Sequence, residues 1–123
     1  MRNLVNGILV GLLILPAVGC GETGGSCTAQ YAYGLTVLVK DYATNQPICD
    51  ATVRAIDVGY DQQLEVIAAG TSECAYVGAG ERVGNYTVSA MKSGYLGAMR
   101  GGNVVTAGDC HVQGVTFTLH LQH

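Results

Sequence analysis

The sequence predicts an all-β fold, a sandwich of seven short antiparallel strands, behind an apolar N-terminal segment. Seven segments alternate apolar and polar residues with the two-residue period of a half-buried strand, and turn residues separate them. No helical period follows residue 20. The 18 glycines among 123 residues suit tight turns, and a chain of this length has room for one compact domain. Together these observations favour a β-sandwich.

The N-terminal segment has the pattern of a removable secretion signal. Arg2 gives it a basic start, and the apolar run from Leu4 to Leu15 is shorter than the roughly 20 residues that span a bilayer. The segment 17–20, Ala-Val-Gly-Cys, resembles the lipobox of bacterial lipoproteins, with Ala in place of the usual first Leu. We therefore expect residues 1–19 to be removed as a lipoprotein signal peptide.

The lipobox resemblance implies a diacylglyceryl thioether on Cys20, which anchors the mature protein to a membrane without a spanning segment. Gly21, rather than Asp, follows this cysteine and favours the outer membrane of a bacterial cell envelope. Residues 20–33 then form the lipidated N-terminus and a flexible tether. The alternative is an ordinary signal peptide whose cysteine joins a disulfide. The count favours lipidation, because removing Cys20 from the five cysteines leaves an even number.

The mature chain is acidic. Removal of the signal leaves five Lys or Arg against nine Asp or Glu, a net charge of −4 with His neutral. Binding to nucleic acid depends on Lys and Arg side chains that neutralise phosphates. This balance therefore argues against a nucleic-acid partner.

The first two predicted strands flank a turn. Leu35, Val37 and Val39 share one face of a strand over residues 35–40, because the residues between them point the other way. Asn, Pro and Asp residues then interrupt the apolar pattern. Residues 51–56 resume it as a second strand, with Val53 and Ala55 expected to face inward.

The remaining five strands follow from the same alternation, with glycines marking the breaks between them. The last strand has the cleanest pattern, in which Val115, Phe117 and Leu119 alternate with polar residues. The predicted bounds are 64–69, 74–77, 86–91, 98–106 and 115–121.

Five short motifs, in order along the chain, resemble the carboxypeptidase regulatory-like domain. They are Leu35 to Lys40, Thr44 to Ile48, Ala51 to Val53, Gly84 to Val88 and Ser93 to Tyr95. The resemblance covers Gly34 to Leu121 and places the domain at residues 34–123. It implies a transthyretin-like, immunoglobulin-like sandwich without catalytic activity, in which Tyr95 covers the end of a strand. Asn45 stands where the family usually has Gly, and Asn tolerates a left-handed turn.

Four cysteines remain after the lipidated one, and in an oxidising compartment they allow three pairings. If the seven strands alternate up and down, Cys27 precedes the first strand and Cys110 the seventh, at one end of the sandwich. Cys49 and Cys74 precede the second and fourth strands, at the opposite end. The order therefore predicts the disulfides Cys27–Cys110 and Cys49–Cys74.

Three residues are candidates for ligand binding. Glu81 and Arg82 are charged residues on a predicted loop between strands, where recognition residues are commonly presented. Tyr60 is the third, since seven tyrosines against one phenylalanine are typical of an aromatic binding face. Tyr31 and Tyr33 also flank a strand and are expected to be exposed. The alternatives are a surface ion pair for the charges and sandwich rims for the tyrosines.

We predict no metal, cofactor or catalytic site. Cys110 and His111 lack a second cysteine at zinc-site spacing, and Asp57 and Asp61 lack the dense acidic run of a calcium loop. The glycines of residues 78–84 lack the Lys of a phosphate loop. No Ser-His-Asp or Cys-His arrangement stands out, and oxidised cysteines offer no thiolate.

The sequence therefore favours a membrane-anchored, non-catalytic module that acts in envelope structure or binds a protein or glycan. A carbohydrate-binding module is the first alternative, because transthyretin-like and starch-binding-like sandwiches share an architecture and use exposed aromatic residues on loops. A transthyretin-like hydrolase of 5-hydroxyisourate is the second. That family carries a C-terminal Tyr-Arg-Gly-Ser motif, whereas this chain ends Thr-Leu-His-Leu-Gln-His.

Overall fold

The computed structural model describes residues 27, 29–68 and 73–123, and these residues form nine β-strands and no helix. The strands are β1 (Tyr33–Asp41), β2 (Thr52–Asp57), β3 (Tyr60–Gln63), β4 (Glu65–Ala68), β5 (Cys74–Gly80), β6 (Gly84–Met91), β7 (Ala98–Ala107), β8 (Val112–Gln113) and β9 (Val115–Leu121). The described part of the chain accordingly contains no helix long and apolar enough to cross a membrane. The predicted signal peptide and Cys20 lie outside the described residues.

The strands form two sheets, a five-stranded one in the order β8-β7-β6-β2-β3 and a four-stranded one in the order β9-β1-β5-β4. Each of the seven predicted segments contains a strand, and β3 and β8 are additional. The alternation misses β3 because it is a polar edge strand, and β8 because it has two residues.

One strand pair corrects the fully antiparallel prediction. The first strand, β1, pairs in parallel with the last, β9, so that Phe117 lies opposite Val37 and Leu119 opposite Val39. The reason is the up-and-down order of the strands. The first and last of seven strands that run up and down point the same way, so their pairing as neighbours has to be parallel.

The core lies between the two sheets and consists mainly of the inward residues of β1, β2, β6 and β9. Val53 and Ala55 are fully buried, as predicted. Complete burial of a valine or leucine side chain contributes about 1.5–3 kcal/mol. Two tyrosines are the largest buried side chains, and their hydroxyls are satisfied: Tyr76 donates to the Ile48 carbonyl at 2.7 Å, and Tyr86 to the Arg82 carbonyl at 2.9 Å.

Both predicted disulfides are confirmed. Cys27 is joined to Cys110, with 5.2 Å between their Cα atoms, and Cys49 to Cys74, with 5.4 Å. The two bonds lie at opposite ends of the sandwich, because β5 starts where the antiparallel strand β1 ends. We call the end with Cys27–Cys110 the base and the end with Cys49–Cys74 the tip.

Replacing both members of a disulfide with serine is expected to lower the free energy of unfolding, because the unfolded chain regains loop entropy. The expected loss is about 4–5 kcal/mol for Cys27–Cys110, which are 83 residues apart, and about 3–4 kcal/mol for Cys49–Cys74, 25 residues apart. Urea denaturation of the two double-serine variants measures both losses. A larger loss for the tip bond than for the base bond would contradict the entropic account.

Candidate functional site

Glu81 lies at the base, in the turn after β5, with a left-handed backbone φ of 51°. Its Oε2 atom accepts a hydrogen bond from the Ala32 N–H at 2.9 Å and lies 2.6 Å from Nδ1 of His111. Its Oε1 atom accepts from the Val112 N–H at 3.2 Å. The Ala32 N–H is the main reason that the pKa of Glu81 is lowered. This carboxylate therefore holds the entry to β1 and the loop before β8 together.

Arg82 contacts a different set of residues. Its Nη1 atom donates to Oδ2 of Asp57 at 3.2 Å and to the hydroxyl of Tyr86 at 2.8 Å. The guanidinium carbon lies 4.1 Å from the centre of the Tyr60 ring, close enough for a cation–π contact. Tyr60 in turn meets Tyr86 edge to face, with 5.7 Å between ring centres. Arg82 thus lies within an aromatic and ionic cluster at the base.

The structure therefore brings two of the three candidate residues together and places the third apart. Arg82 and Tyr60 are in contact, whereas the Glu81 carboxylate bonds to the entry of β1 and to the start of β8. The surface ion pair considered as an alternative is also not formed between these neighbours. Each side chain instead contacts a partner distant in sequence: Arg82 forms an ion pair with Asp57, and the Glu81 carboxylate lies within hydrogen-bond distance of His111.

A cleft of about 320 Å³ opens on the side of the sandwich between β3 and β5. We call it the tyrosine cleft. Its lining includes Tyr31, Tyr33, Tyr60, Gln62, Gln63 and Glu65. Tyr31 and Tyr33 meet edge to face at 5.4 Å, and the Tyr31 ring covers Gly80 so closely that a side chain there would collide with it. The cleft combines ring faces with amide and carboxylate groups, which is the chemistry of a polar organic ligand site.

A second cavity adjoins the tyrosine cleft along the same side of the molecule. It has a volume of about 470 Å³ and shares Gln63 and Glu65 with the cleft. Its other lining residues include Ala51, Leu64 and Tyr76. Sequence reasoning identified the tyrosines but not the two glutamines, because these belong to the unpredicted strand β3.

A polar cluster fixes the tip. Oδ2 of Asp41 accepts a hydrogen bond from the Tyr95 hydroxyl at 2.7 Å and lies 3.1 Å from Nε2 of His123. Oδ1 accepts from the N–H groups of Ala43 at 2.8 Å and Thr44 at 2.9 Å. These bonds, that of Tyr95 first, hold the pKa of Asp41 far below its ordinary value. Tyr95 thus lies over the end of β1.

The described residues contain no group of three or more His, Cys, Asp and Glu side chains placed to hold a metal ion. The chain matches no protein-family model and no curated protein sequence.

Removing the Tyr95 hydroxyl is expected to flatten the acid dependence of stability. A lowered pKa of Asp41 stabilises the folded state above the ordinary value of 3.8, and this contribution is lost as the pH falls below it. In Tyr95→Phe the pKa of Asp41 moves back towards 3.8, so less stability is lost on acidification. Urea unfolding from pH 7 down to pH values below 3.8 measures the difference.

Tyr42→Phe is the matched control, because Tyr42 also lies at the tip but is 64% exposed. If the free energy of unfolding of Tyr95→Phe falls with pH as steeply as that of the unaltered chain, the pKa of Asp41 does not depend on this hydroxyl.

Proposed function

We propose that this chain is a lipid-anchored lipoprotein of the bacterial outer membrane whose β-sandwich serves as a non-catalytic module for envelope structure or for binding a protein or glycan. The observation that carries the proposal is the complete pairing of the other cysteines. Four of the five form two disulfides within the domain, so Cys20 has no cysteine left to pair with inside the chain. A thiol at the end of a lipobox-like segment is then available for lipidation.

The disulfides also support export. Such bonds form and persist in oxidising compartments and are rare where thiols are kept reduced. An exported domain needs a secretion signal, and the basic, apolar and small-residue regions of residues 1–19 supply one. Export and lipid attachment are thus supported by different cysteines of the same chain.

A non-catalytic role is supported by how the candidate charges are used. Glu81 accepts hydrogen bonds and Arg82 forms an ion pair that hold the base together, and all four cysteines of the domain are oxidised. The carboxypeptidase regulatory-like family remains our assignment by resemblance. This family assignment agrees with a membrane-anchored module that binds or supports other molecules and does not catalyse a reaction.

Replacing the proposed lipid-bearing residue, in Cys20→Ser, is expected to abolish attachment of fatty acid. The serine hydroxyl cannot form the thioether, so a clickable palmitate analogue fed to the expressing bacteria labels the unaltered chain and not the variant. Intact mass measurement is expected to show the unaltered chain beginning at residue 20 with the added lipid.

The control is the double variant Cys27→Ser with Cys110→Ser, which loses two cysteines and keeps the proposed lipid site. It is expected to be labelled like the unaltered chain. Equal labelling of Cys20→Ser, or an unaltered chain whose N-terminus carries no lipid, would refute the anchor.

The tyrosine cleft favours carbohydrate binding as a second candidate function. Tyrosine offers an apolar ring face together with a hydroxyl, which matches the mixed surface of a sugar. Gln62 and Gln63 add amide donors and acceptors beside the rings, and the adjoining cavity lengthens the site along the side of the sandwich. A site of this length fits several sugar units of a polysaccharide better than a single small molecule.

Truncation of the cleft rings is expected to weaken retention on insoluble polysaccharides. Tyr31→Ala and Tyr60→Ala each remove one aromatic contact, of about 0.5–1.5 kcal/mol, which corresponds to roughly 2- to 10-fold weaker binding. A pull-down on a panel of polysaccharides measures the change. Tyr42→Ala, an exposed tyrosine at the tip, is the control and is expected to bind as the unaltered chain does. Equal binding by all variants, or none by the unaltered chain, would exclude this function.

A further inference from the structure

The distance from the proposed lipid to the folded domain is limited by covalent geometry. Cys27 follows Cys20 by seven residues and is joined to Cys110 at the base. Seven residues span about 25 Å at most, even when fully extended. The base is therefore the end of the sandwich nearest to the lipid anchor.

Exposed apolar side chains are found at both ends, Met91 and Leu96 at the tip and two valines at the base, so the length of the tether and not apolar exposure distinguishes the base. Val58, in the turn between β2 and β3, is 93% exposed, and Val83, in the loop before β6, is 51% exposed. The strand register places both at the base, because Ile56 lies opposite Thr87 and Gly84 opposite Val105. Val83 also lines a surface depression with the residues around Cys110. Val83 thus lies beside the disulfide that fastens the tether.

The charges of the base are largely paired with one another. Arg82 pairs with Asp57 at 3.2 Å, and His111 lies 2.6 Å from Glu81. Asp109, in the loop between β7 and β8, is a further acidic residue at this end. Among the described residues of the base there is therefore no cluster of Lys and Arg that would draw it to anionic lipids, so the contact with a bilayer that these residues offer is apolar.

We propose that the base rests on the bilayer that holds the Cys20 lipid, with Val58 and Val83 in the headgroup boundary and the tip pointing away. This orientation rests on the proposed lipid anchor. Two valines alone bind a bilayer weakly, but a lipid attached within 25 Å gives the base a high effective concentration at the surface. The tip, with Tyr42, Tyr95 and Asp41, is then the end presented to soluble partners.

A fluorescence experiment tests the orientation, since the chain contains no tryptophan. Val58→Trp and Val83→Trp place a reporter at the base, and Tyr42→Trp is the matched control at the tip. Each full chain is lipidated in bacteria, purified and reconstituted into phosphatidylcholine vesicles with brominated acyl chains. We expect both base variants to lose roughly half or more of their emission to bromines placed about 5–10 Å below the headgroups, and the tip variant to lose little.

The outcomes separate this inference from the proposal on which it rests. A lipidated protein whose base and tip variants are quenched equally, or whose tip variant is quenched more, refutes the orientation and leaves the anchor intact. A protein without lipid on Cys20, judged by intact mass, refutes both. Quenching of the base variants that disappears in high salt also refutes the proposal, because an apolar contact does not depend on ionic strength.

Discussion

The parallel pairing of β1 with β9 determines how the rest of the molecule is arranged. It places the first and last strands side by side in the same direction, so the segments that precede them arrive at one end of the sandwich. Cys27 precedes β1 and Cys110 precedes the β8–β9 region, and their disulfide becomes possible only because both arrive there. Val37 and Phe117, paired in this register and buried, stabilise the pairing through apolar contact. The location of the base, and with it the attachment of the tether, follows from this one strand pair.

The charged residues of the base mainly bind other groups of the same protein. Glu81 bonds to the entry of β1 and to Val112 before β9, and so reinforces with hydrogen bonds what the disulfide joins covalently. Arg82 is held by Asp57 and stacked on Tyr60. Groups that are satisfied within the protein give up those bonds if they bind a ligand, which costs affinity. For this reason Tyr31 and Tyr33 of the tyrosine cleft, which are 64% and 40% exposed, offer a better binding surface than the charged loop.

The sequence was informative where one rule decided the outcome. Alternation located seven strands and the inward pair Val53 and Ala55, and strand order with cysteine position identified both disulfides. The sequence was uninformative where the structure depends on contacts between residues that are distant along the chain. The strand β3 is polar because it is an exposed edge, so it has no alternation to detect. The separation of Glu81 from Arg82 depends on a left-handed backbone at a residue other than glycine, which composition does not indicate.

The two ends of β1 are fixed by different means, and this leaves the side of the sandwich open to variation. At the tip, Asp41 accepts bonds from Tyr95 and from the following turn, and at the base the Cys27–Cys110 disulfide holds the entry to the strand. The tyrosine cleft starts at the base, where Tyr33 and Tyr60 lie, and runs along the side of the sandwich next to the short edge strands β3 and β4. Substitutions on exposed edge strands cost little stability when neither end depends on them. Gln62, Gln63 and Glu65 of the cleft can therefore change, and with them the binding specificity, while the disulfide at the base and the Asp41 cluster at the tip keep their structure.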